Sequence, residues 1–231
     1  MELLELVGLL YGARDRFTTI QVAWQYTYEQ AAMDTITARW MQGQTPGSVA
    51  TLRSVSATAA PTLERHSLRR HIWWRKPDCW RDENSQMVTI LCGGRAAYFE
   101  IGPQSPEQAA FQRQIQASLQ ANPPDIEDRI DDAPLLDPAF LLASHRLEPL
   151  HDTVHAGRAA VAARATYRKG KSRSYEPMFW TTADSYMLTV DRERGILLRY
   201  AALLDGEEFA VASVDEVVFD APIAVEVFTL S

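Results

Sequence analysis

The sequence predicts one α+β domain, mostly antiparallel β: a strongly curved sheet with an aromatic-rich apolar face and a few helices packed against it. Three observations carry this. From Thr18 to Glu29 the residues Ile20, Val22, Trp24, Tyr26 and Tyr28 alternate with Gln21, Gln25, Thr27 and Glu29, the period of a half-buried strand. Gln86 to Cys92 and Arg95 to Ile101 flank Gly93-Gly94, a pair that supplies the positive φ of a two-residue hairpin. Strands, two central helices and further strands follow one another without the regular βαβ alternation of a parallel sheet.

The chain opens with Leu3, Leu6, Val7 and Leu10 at spacings of three and four, one face of a short amphipathic helix over Met1 to Ala13. The long aromatic strand follows, and Gln30 to Gln42 either prolongs it or turns helical. Gln44 to Ala60, rich in Gly, Pro, Ser, Thr and Ala, reads as a loop. Strands resume near Arg69, where Ile72 and Trp74 share a face; Lys76-Pro77-Asp78 turns the chain and Cys79-Trp80-Arg81-Asp82 starts the return. Beyond the diglycine hairpin, Pro106 to Leu119 loses the β period and is expected to be helical. Its packing positions are Ala109, Ala110, Ile115 and Leu119, and Pro123-Pro124 closes it. Asp137 caps a second helix with Pro138 in its first turn and Phe140, Leu141 and Leu142 along it. After Leu150 the chain is a meander. Ala159 to Tyr167 pairs with Phe179 to Thr182 or with Tyr186 to Val190, Asp191 to Gly195 turns into Ile196 to Leu204, and Asp205-Gly206 turns into Phe209 to Phe219.

With 46% hydrophobic and 23% charged residues the chain lies far from the disordered range, and 231 residues suit one β-rich domain. A net charge of -7 argues against nucleic acid or an anionic membrane as a generic partner. No apolar run approaches the length of a membrane span. The N-terminus is acidic where a signal peptide is basic, Glu5 interrupts its apolar run, and no small-residue cleavage site follows, so the protein is expected to be cytoplasmic. Cys79 and Cys92 read as two small half-buried thiols in preference to a disulfide.

No Ser-His-Asp signature, Gly-rich phosphate loop, HExxH or CxxC occurs, so no cofactor and no metal is expected, and an enzyme is the less favoured reading. His151 and His155 stand on an expected strand, ~13 Å apart, too far to share a metal. His66 and His71, with Arg65, Arg69, Arg70, Arg75 and Lys76, read as a solvated basic strand and loop. Arg168 to Arg173 reads as a hairpin tip, and Asp125, Glu127, Asp128, Asp131 and Asp132 as a solvated linker. Glu64 and Glu100 would gain a raised pKa only by facing an apolar hollow.

Several segments, in order, resemble those of the LolA-type lipoprotein carriers, a superfamily that includes LppX-like lipid binders and regulators of anti-sigma factors. They are Arg75-Lys76-Pro77-Asp78-Cys79-Trp80-Arg81, then Gly93-Gly94-Arg95 before Tyr98 and Phe99, and Leu135-Leu136-Asp137-Pro138. Asp191 through Gly195 with Leu197-Leu198-Arg199 follows, and Val218-Phe219-Asp220-Ala221-Pro222-Ile223, ending at Phe228, closes the set. The resemblance implies an unclosed half β-barrel with helices packed in its concave face as a lid. It also implies a hydrophobic ligand, a lipid or apolar small molecule, held in that face. The same fold serves a cofactor-free enzyme of violacein synthesis, so catalysis on a hydrophobic intermediate is an alternative, as is a regulatory protein-interaction module. Trp24, Tyr26, Tyr28, Trp74, Trp80 and Tyr98 fall on expected strand faces and are the candidate ligand-lining residues; the alternative is that they fill an ordinary core.

Overall fold

The computed structural model describes residues 1–42, 65–122, 134–168 and 183–229, with backbone alone for 39–42. The expected loop at 44–60, Glu64, the acidic run at 125–132, the basic run beyond Arg168 and the alternative strand at 179–182 lie outside the described residues. The strands are β1 (Thr19–Glu29), β2 (Arg65–Arg75), β3 (Cys79–Asn84), β4 (Met87–Cys92), β5 (Arg95–Glu100), β6 (His145–His155), β7 (Arg158–Tyr167), β8 (Ser185–Asp191), β9 (Leu197–Leu204) and β10 (Glu207–Phe219). They form one antiparallel sheet in the order β5-β4-β3-β2-β1-β10-β9-β8-β7-β6. Two meanders therefore meet at β1, which pairs with both β2 and β10, while β5 and β6 remain edges: the barrel is unclosed.

Four helices accompany the sheet among the described residues: α1 (Leu3–Tyr11), α2 (Gln30–Gln42), α3 (Pro106–Ala121) and the single turn α4 (Leu141–Ser144), preceded by a 3-10 turn at Pro138–Phe140. The open alternative at Gln30 resolves as a helix. Gln30 Nε2 donates to Asp34 Oδ1 one turn on at 2.8 Å, and Ile36 is buried against the core. Asp137 caps its turn by accepting from the Ala139 N–H at 3.3 Å, as expected, but the second helix is much shorter than the pattern implied, because the chain enters β6 already at His145.

The concave face holds the main core. Cross-strand register aligns Ile20 with Trp74, Trp74 with Trp80, Trp80 with Leu91 and Leu91 with Ala96, all buried. Leu6 and Leu10 of α1 close the same cluster. Gly195 allows α1 to come this near. Its φ is +77°, and a Cβ there would meet the Leu9 carbonyl oxygen at 2.1 Å, so both conformation and space require glycine. Asp191, fully buried, holds the same turn by accepting from the Glu193 and Arg194 N–H groups at 2.9 and 2.7 Å and from the Arg158 guanidinium. The diglycine hairpin forms as expected, with φ of +57° and +72° at Gly93 and Gly94.

A smaller cluster on the convex face joins Val88, Ile90, Ile223 and Phe228, where the C-terminal segment folds back over β3 and β4. Here the structure corrects the thiol reading: Cys79 and Cys92 form a disulfide. The register places them directly opposite each other on β3 and β4 with Cα atoms 4.1 Å apart, a proximity that spacing along the chain does not disclose.

The two edges are protected differently. Pro149 and a register shift interrupt β6. Along β5, glutamines of α3 take the place of a neighbouring strand: Gln116 Oε1 accepts from Tyr98 N at 2.9 Å, Gln116 Nε2 donates to Ala96 O at 3.0 Å, and Gln112 Nε2 donates to Tyr98 O at 3.4 Å. No residue of α3 is fully buried, but of the expected packing positions Leu119 packs against the main core and Ala109 and Ile115 are half-buried, while Ala110 is exposed; side-chain-to-backbone bonds add to this apolar contact. The helix stands at the sheet edge, and its capping box of Ser105 and Gln108 fixes where it starts.

Candidate functional site

Register places all six aromatic residues on one face of the sheet. Trp24, Tyr26 and Tyr28 alternate along β1; Trp74 and Trp80 continue the row through Ile20; Tyr98 reaches the same face through Thr89, Asp82 and Ile72. They do not share one environment. Trp24, Trp74 and Trp80 are buried in the main core, with Trp74 and Trp80 edge to face at 5.6 Å. Tyr26 and Tyr28 are partly buried at the far end of β1, their rings 5.5 Å apart, and Tyr28 stacks on His66 at 5.0 Å. Tyr98, on the edge strand, lies beside Glu100 and borders a separate cavity of about 290 Å³; burial and the neighbouring carboxylate raise its pKa above the ordinary tyrosine value.

Two polar groups cross this face that strand alternation marks but composition hides. Arg70 shares the phase of Ile72 and Trp74, and its guanidinium forks onto Asp82, with Nε 3.1 Å from Oδ1. The side chains are 11% and 9% exposed, so Arg70 is not part of a solvated basic strand as expected. It lies over the Trp24 ring at 5.1 Å, which helps offset the burial of the pair. Farther along, Tyr26, Ala212, Tyr200 and Leu188 form one cross-strand row, and Tyr200 is hydrogen-bonded to Tyr26. Complete burial, with both neighbouring phenols, pushes Tyr200 well above the ordinary tyrosine pKa.

Lys76, from the expected basic stretch, is also internal in role. Its ammonium donates to the carbonyls of Arg14 and Phe17, the latter at 2.7 Å, and stands 3.9 Å from the Phe17 ring centroid and 4.9 Å from that of Trp74. Burial holds its pKa below the ordinary lysine value, opposed mainly by Asp15. At this end of the face a cavity of about 460 Å³ is lined by Trp74, Lys76, Arg14, Tyr11 and Asp137. The Trp74 indole N–H, buried, has no hydrogen-bond partner among the described residues.

At the opposite flank His145 is buried, with its Nδ1 2.8 Å from Ser144 Oγ and ring edges of Tyr167 and Tyr186 against it. Burial, with the charge of Arg168, lowers its pKa to about 4, so it is neutral at pH 7. No group of three potential metal ligands occurs among the described residues.

No family model matches the chain, and no curated protein matches it. Among solved structures, MucB aligns over 98% of this chain and 62% of its own at a TM-score of 0.51 and 15% identity. The MucA/MucB complex of Pseudomonas aeruginosa aligns at 0.51 and 15%, covering 98% and 60%. The lipoprotein LppX of Mycobacterium tuberculosis aligns at 0.47 and 10%, covering 97% of this chain and all of its own. This chain thus spans about three fifths of the MucB chain. No helix of the described residues is long and apolar enough to cross a membrane. The likeness to MucB is one of fold: a single antiparallel sheet, open between β5 and β6, accompanied by helices.

Proposed function

We propose that the protein binds a hydrophobic ligand, a lipid or apolar small molecule, against the concave aromatic face. The observation that carries this reading is the buried, unpartnered Trp74 N–H beside the 460 Å³ cavity: buried donors are nearly always satisfied, and an acceptor on a ligand would satisfy this one. The apolar body of the ligand then covers aromatic surface, stabilised by roughly 25 cal/mol per Å² buried. The Cys79–Cys92 disulfide supports an oxidising compartment over the cytoplasm expected from the N-terminal pattern. Native mass spectrometry after gentle purification tests the proposal, followed by titration with fatty-acyl and polyaromatic probes. Bound apolar mass, and weaker probe binding in Trp74→Phe, which keeps the ring and removes the N–H, are expected. A protein that is empty and ignores both probe classes refutes it.

A protein partner is the second reading, favoured by the β5 edge. Phe99, Ile101 and Phe111 are exposed there, and the edge backbone is satisfied by glutamine side chains that an incoming strand would replace. The solved complex of the fold neighbour MucB with MucA is consistent with such use. Affinity purification from the native host, with a stoichiometric partner lost on Phe99→Ser/Ile101→Ser substitution, is the expected result.

A further inference from the structure

The flank opposite β5 carries a cavity of about 700 Å³ between α1, α4 and the β6–β7 hairpin. One wall is apolar: Leu3 and Val7 of α1 and Leu142 of α4. The other is basic: Arg146, Arg164 and Arg168, against the single carboxylate of Glu148. In a chain of net charge -7 this is a local reversal of sign. The register explains the cluster. Arg146 lies directly opposite Thr166, while Arg164 and Arg168 stand two residues to either side of Thr166, ~7 Å away at strand spacing, so three guanidiniums surround one hydroxyl-bearing position.

Several arginines elsewhere are held in ion pairs: Arg70 with Asp82, Arg81 with Glu83, Arg158 with Asp191, Arg199 with Glu208. Here Arg164 reaches only Glu148, at 3.7 Å between exposed side chains, and Arg146 and Arg168 form no ion pair among the described residues. Both are exposed, as is Leu3 at 47%. An apolar wall adjoining uncompensated guanidiniums, in a cavity of small-molecule size, matches a ligand with the same two halves.

We infer that this groove binds an anionic amphiphile: a single acyl chain along Leu3, Val7 and Leu142, and a carboxylate or phosphate head among Arg146, Arg164 and Arg168. The site lies outside the concave aromatic face and is independent of the ligand proposed there.

Calorimetric titration of the full chain with oleate, with oleoyl lysophosphatidic acid and with uncharged monoolein tests it, using Arg146→Glu/Arg168→Glu and Leu3→Glu variants. All three positions are exposed, so unchanged thermal unfolding checks that the fold is intact. At least one anionic probe binds, weakens with added salt, and loses about tenfold or more in affinity in the double variant, where two attractions become repulsions. Leu3→Glu weakens it too, and the loss caused by the double variant is the same size in the wild-type and Trp74→Phe backgrounds, because the two sites are separate. Tighter binding of the lysophosphatidate supports a phosphate head, tighter binding of oleate a carboxylate. Failure of both anionic probes to bind, equal affinity for monoolein, or undiminished affinity in the double variant overturns the inference.

Discussion

Acidification gives a sharp test of the buried histidine. His145 has a folded pKa of about 4 against an ordinary 6.5, because its ring lies between Ser144 and the edges of Tyr167 and Tyr186. Between those values the unfolded chain binds a proton that the folded chain refuses, so stability rises with pH through this window and falls as pH is lowered through it. At about 1.4 kcal/mol per pH unit the whole difference is about 3–4 kcal/mol, of which about 2 kcal/mol is lost between neutrality and pH ~4.5. Asp152 and Asp220, whose pKa values are lowered by Arg192 and by the Thr18 N–H respectively, lose their contributions at lower pH and do so equally in any His145 variant. Urea unfolding followed by tryptophan fluorescence, at a series of pH values, is measured for the wild type and for His145→Gln. The variant is less stable at neutrality, but its curve flattens across the window, and the gap to wild type narrows by about 2 kcal/mol. Two curves that stay parallel to within about 0.5 kcal/mol refute the assignment of a desolvated neutral imidazole.

Three further outcomes follow from the packing. Gly195→Ala loses about 3 kcal/mol or more in urea unfolding, since the new Cβ meets the Leu9 carbonyl and the residue needs positive φ. Asp82→Ala leaves the Arg70 guanidinium buried without its carboxylate and loses about 3–5 kcal/mol, whereas Arg70→Met/Asp82→Leu recovers most of it in the same assay. Cys79→Ser/Cys92→Ser lowers stability by about 2–3 kcal/mol, as expected for a bridge closing a loop at a sequence separation of 13, and reductant does the same to the wild type but not to the variant.

What was legible in the sequence is local. Period-two alternation along β1 was enough to assign Ile20 to Tyr28 to one face, and paired glycines were enough to place the β4–β5 turn, because strand pleat and turn dihedrals depend on neighbouring residues alone. The resemblance of short motifs becomes physical in the same local terms: Asp191 to Gly195 is a turn that caps its own backbone and makes room for α1.

The partnerships were decided by tertiary structure. Arg70 looked like one cation in a basic run until β2 and β3 paired and brought Asp82 beside it. Cys79 and Cys92 looked like free thiols until the β3–β4 register set them opposite each other. The periodicity of α3 predicted a helix but not that it would cover an edge strand with glutamine amides and bury no residue fully. By itself the sequence determined an antiparallel, aromatic-faced α+β chain, since each residue's periodicity and turn preference are its own. Only the folded sheet decided which charges were buried in pairs, which were left to face a groove, and which aromatic rings became core, because those properties belong to residues distant in the chain that pairing brings within a few ångströms.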